Sequence, residues 1–101
     1  MRYSGMFAVV MFLSFSVIAD ITPEERCDNQ GKVAMEASKM RLSGSDQDST
    51  TTTLIEMYDQ PGTGMTAKNV RGLVMVSYMA KMKPENMRDY AIDQCKKDIL
   101  K

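Results

Sequence analysis

Two cysteines, Cys27 and Cys95, and no histidine set the chemistry open to this 101-residue chain. Without histidine it lacks the commonest general base, the usual zinc ligand and every Ser-His or Cys-His arrangement. The two thiols stand far apart in sequence, whereas a dithiol oxidoreductase wants them as Cys-x-x-Cys. No serine or aspartate stands in a nucleophile motif, and the neighbouring Glu24 and Glu25 read as charges at a helix start rather than as an acid and a base. The sequence is therefore read as a non-enzyme with no cofactor. Its cysteines have one intramolecular pairing, Cys27 with Cys95, and an intermolecular disulfide is the alternative.

Methionine is the compositional oddity, eleven in all, of which Met1, Met6 and Met11 lie in the first nineteen residues. Thioethers are soft ligands for Cu(I), and Met79-Ala-Lys-Met82 would place two of them on adjacent turns of one helix face. The commoner use of methionine is to fill gaps in a small core, and here all three phenylalanines fall in the first nineteen residues and tryptophan is absent. Methionine also makes adaptable contact surfaces. Met75, Met79, Met82 and Met87 are the candidate interaction surface, with burial in the core as the competing reading of the same spacing.

The order of the first nineteen residues, MRYSGMFAVVMFLSFSVIA, is that of a secretory signal: Arg2, an apolar run from Met6 to Ile18, and small residues before a cut after Ala19. That run is shorter than the roughly 20 residues a membrane-spanning helix needs. The expectation is a leader over 1–19, a mature single domain over 20–101, and a periplasmic or secreted protein with no stable membrane anchor after cleavage. Loss of Arg2 leaves 12 basic against 13 acidic residues, a balance that favours neither nucleic acid nor an anionic membrane surface. An oxidising compartment favours pairing of the two thiols.

The elements that position these residues read as helices. Thr22-Pro-Glu-Glu25 has the cap, the first-turn proline and the acidic third position of a helix start, and Gly44 is its stop, so a first helix runs to Ser43. Along it Cys27, Gly31, Ala34 and Ser38 form a stripe of small residues that lets another helix approach closely. The segment 44–53 is polar and turn-rich. Thr51 to Tyr58 has strand propensity in its threonines but no partner strand, so a short helix is the reading. Thr66 caps a third helix bearing Val70, Leu73, Val74, Ser77 and Tyr78, apolar around much of its circumference and expected at the centre of the fold. Pro84 and Glu85 start a last helix with Met87, Ala91, Cys95 and Ile99 four apart.

The fold class that follows is all-α: a small bundle of three or four helices whose first and last members are antiparallel and joined by Cys27–Cys95. The pattern Cys27-x3-Gly31-x2-Ala34-x2-Ala37-x2-Met40-Arg41-x2-Gly44, then Val70 to Tyr78 and Ala91-x3-Cys95, resembles small exported two-cysteine helical proteins of bacteria and phages. The resemblance covers the first helix and the last thirty or so residues, and the segment 45–66 departs from it. It implies a helical fold with a terminal disulfide and implies no catalytic residue. Expected of such a chain is binding to another protein of the envelope, as an inhibitor, exclusion factor or helper. The alternatives are a periplasmic acid-stress chaperone, whose switching would have to rest on carboxylates, and a methionine-based copper binder.

Overall fold

The computed structural model describes residues 21–100, so the expected leader over 1–19 lies outside the described residues. Among the described residues four α-helices follow in order: α1 (Pro23–Leu42), α2 (Gln47–Tyr58), α3 (Ala67–Ala80) and α4 (Pro84–Ile99). Among the described residues there is no strand.

Local sequence explains each boundary. At the start of α1 the Glu25 amide donates to Thr22 Oγ1 at 3.1 Å while the Thr22 amide donates to Glu25 Oε1, the reciprocal pair that satisfies two orphan donors. Its far end closes with the Ser45 amide on the Met40 carbonyl and the Gly44 amide on that of Arg41. This 6→1 and 5→2 pairing needs a left-handed residue, which Gly44 supplies at φ +96°. Asp46 then caps α2 by accepting from the Ser49 amide at 2.7 Å. Thr66 and Asn69 repeat the reciprocal cap at α3. Lys81, at φ +55°, ends α3 in a left-handed conformation, and Pro84 occupies the first turn of α4.

The centre of the molecule is α1, not α3 as the apolar circumference of the third helix suggested. One side of α1 places Val33 and Ala37 against Leu54 of α2 and Val70 and Val74 of α3, with Met65 closing the cluster. Its other side places Ala34 against Met87 and Ala91 of α4. A helix between two partners needs two narrow apolar faces, and small residues supply both on one element. Met75 and Val76, which made α3 look apolar all round, are instead exposed. Full burial of side chains such as Val33, Leu54, Val70, Val74 and Met87 is worth about 1.5–3 kcal/mol each.

The α1–α4 contact is close because of Gly31. A Cβ there would lie 2.6 Å from Ile92 Cγ1 and 2.7 Å from Ile92 Cδ1. At one end of the same pair Cys27 and Cys95 form the disulfide, with a Cα–Cα separation of 5.4 Å across 68 residues of sequence. Loops are tied to α1 as well: Asn29 Nδ2 donates to the Thr63 carbonyl at 2.8 Å, and Arg41 donates to the Met82 carbonyl at 2.9 Å.

Candidate functional site: a groove between the third and fourth helices

Because α3 and α4 each pack on α1 and barely meet one another, they diverge over it. The space between them is a groove of about 440 Å³, walled by Gly72, Met75 and Val76 on α3 and by Tyr90 and Gln94 on α4, with Met87 and Ala91 at its floor. Met79 stands on the same exposed ridge of α3, since positions 72, 75, 76 and 79 share one face at helical spacing. Met79 is 74% exposed, Met75 48%, Tyr90 44% and Val76 37%. An isolated exposed apolar side chain is ordinary; a contiguous group beside a groove marks a contact surface.

The four methionines grouped by their spacing are thus divided by the fold. Met75 and Met79 are on the surface, Met82 is half-buried beside the Ala34–Met87–Ala91 cluster, and Met87 is core at 1% exposure. Met87 packs from α4 toward Ala34 and meets the groove only at its floor. Met79 and Met82 do not share adjacent turns of one helix either. The helix stops at Ala80, and Lys81 in its left-handed conformation redirects the chain. Among the described residues no group of three or more cysteines, aspartates or glutamates is placed to hold a metal ion.

Three features of the groove escaped the sequence reading. Gly72 sits in the interior of α3, where glycine costs about 1 kcal/mol relative to alanine, yet no heavy atom lies within 4 Å of where its Cβ would be. Among the described residues nothing requires a glycine there. Tyr90 forms the opposite wall, which its flanking position on α4 did not announce. The third feature is charge. Lys68 of α3 and Asp98 of α4 both line the groove, one cation and one carboxylate.

The disulfide-closed helical bundle defines the structural class. Comparison with known proteins finds no family model, no curated relative and no solved structure that the chain matches.

Proposed function

We propose that this chain is an exported small helical protein that acts without catalysis, by binding another protein of the envelope as an inhibitor, exclusion factor or helper. The observation that carries the reading is the exposed group Met75, Val76 and Met79 beside an open groove, with exposed Tyr90 on its other wall; Leu42, Met57, Ile99 and Leu100 are exposed elsewhere. Adaptable thioethers on a rigid helix suit contact with a folded partner. The disulfide supports an oxidising compartment, and among the described residues no helix is long and apolar enough to cross a membrane. Removal of residues 1–19 as a leader belongs to the same proposal, as does kinship with the small exported two-cysteine proteins of bacteria and phages.

The test is capture from the envelope fraction with the oxidised mature protein as bait. A protein retained by the native chain and lost with Met75→Ser/Met79→Ser supports the reading. Equal retention by both baits, or none by either, counts against it. Both substitutions fall on exposed positions, so an unchanged melting temperature certifies the variant's fold.

A further inference from the structure

Resting on the proposal that the protein binds another protein, we infer that Met75 and Met79 are sites of oxidative modification by peroxides, and that their sulfoxides turn that binding off.

Sulfur is where this chain can take up an oxygen atom. It has no histidine and no tryptophan. Among the described residues no cysteine is free, because Cys27 and Cys95 are joined to one another. The thioethers remain, and the fold sorts them by access. Met79, Met57 and Met75 are 74%, 54% and 48% exposed, whereas Met65 and Met87 are closed at 4% and 1%. Met35, Met40 and Met82 are half-buried. Reaction with a dissolved oxidant follows access to the sulfur, so the first group reacts and the core pair is spared.

The step transfers one oxygen atom. A lone pair on Sδ attacks one oxygen of the peroxide, and the S–O bond forms as the O–O bond breaks. The proton of the attacked oxygen passes to the other, which leaves as water. Sulfur is oxidised by two electrons and the peroxide is reduced by two.

Placement makes this modification a switch. Met75 and Met79 are four residues apart on α3, on adjacent turns of one face, about 6 Å along the axis, with exposed Val76 beside them. A sulfoxide is polar where the thioether was apolar, and a partner that covers it must strip water from its oxygen. Neither methionine belongs to the two core clusters, so the contact surface changes while the packing does not. Met57 stands on α2, away from the groove lining, and serves as an internal control: it is open to the same oxidant without bearing on the ridge.

The experiment treats the disulfide-bonded protein, purified from its producing cell, with rising hydrogen peroxide, maps the sulfoxides by peptide mass spectrometry, and uses each sample as bait for the envelope fraction. Met79, Met57 and Met75 should oxidise before Met65 and Met87, at an unchanged melting temperature. Capture should fall about tenfold or more, the effect of losing one buried apolar side chain. Met75→Leu/Met79→Leu keeps the ridge apolar without an oxidisable sulfur, so its capture should persist through the same treatment although Met57 still reacts. Methionine sulfoxide reductase should restore capture by the native protein. Early oxidation of Met65 or Met87, capture indifferent to sulfoxides at 75 and 79, or no recovery after sulfoxide reduction would overturn the inference, and so would an equal loss by the leucine variant. If Met75→Ser/Met79→Ser abolishes capture while the sulfoxides do not, the switch is wrong and the protein-binding reading survives. If the untreated protein retains no partner, both fall.

Discussion

The Tyr78 hydroxyl donates to the Ser45 carbonyl at 2.6 Å and stands 2.7 Å from Thr50 Oγ1, which must then be the donor of that second bond. One phenol thereby joins α3, the turn after α1 and the first part of α2. Tyr78→Phe leaves the fully buried Thr50 hydroxyl and the Ser45 carbonyl without this partner, and a loss of about 1–3 kcal/mol is expected by chemical denaturation. Ser38 is the opposite case: its Oγ is fully buried and, among the described residues, meets no hydrogen-bond partner. Ser38→Ala should therefore leave stability unchanged or raise it, by up to about 1 kcal/mol, and a loss greater than that would show the hydroxyl is bonded in solution. Tyr78 was legible in the sequence as an apolar ring at helical spacing, and Ser38 as a small residue on the packing stripe. The network of Tyr78 was not legible, because its acceptor belongs to a turn that reaches α3 only after the chain has folded.

The short helix α2 forms against the β-propensity of its four consecutive threonines because its ends and its buried face agree. Asp46 caps it, and Thr50 and Leu54, four residues apart, are its buried side chains. The backbone N–H of Ser49 and then its hydroxyl hold the Asp46 carboxyl below its ordinary value of 3.8. A carboxyl lowered in the folded state contributes its stabilisation in full above that ordinary value and loses it as pH falls through the lower folded one. The α2 amides should accordingly lose protection from hydrogen exchange below about pH 4, while Asp46→Asn, which keeps the cap without the charge, removes that dependence. At the α1–α4 contact, Gly31→Ala should cost about 1 kcal/mol despite the better helix propensity of alanine, because the new methyl must displace Ile92. In an Ile92→Ala background the same change becomes neutral or stabilising. If the two substitutions simply add, the close approach does not govern this position. Gly31 was readable as part of a small stripe, but the helix it admits was not, since spacing within one helix does not name its neighbour.

At the scale of the whole molecule, stability rests on one covalent link and a modest core. Three ion pairs among the described residues, at 3.0 to 3.6 Å, join exposed side chains, and exposed pairs contribute about 0–1 kcal/mol each, less in salt. The disulfide closes a loop spanning 68 residues, which in the chain-entropy model constrains the unfolded state by about 4 kcal/mol. Small domains have net stabilities near the lower end of about 5–15 kcal/mol, so this link is comparable to the whole margin. Its pairing was legible because two thiols allow only one intramolecular pairing; the hub role of α1 was not, because apolar circumference counts exposed Met75 and Val76 as if they were core. The thermal consequence has two parts. Strong reductant should lower the melting temperature by tens of degrees, since each kcal/mol moves a domain of this size about 4–8 °C, whereas 0.5 M salt should move it by only a few degrees. Reduction itself should be slow in the native state, because Cys27 is fully buried and Cys95 only 5% exposed, so the thiols are reached through opening of the α1–α4 contact. Gly31→Ala, which strains that contact, should then speed reduction in proportion to its loss of stability. Reduction at the same rate in both proteins would mean that the disulfide is attacked without opening, and a melting temperature unmoved by reductant would mean that the helices hold together without it.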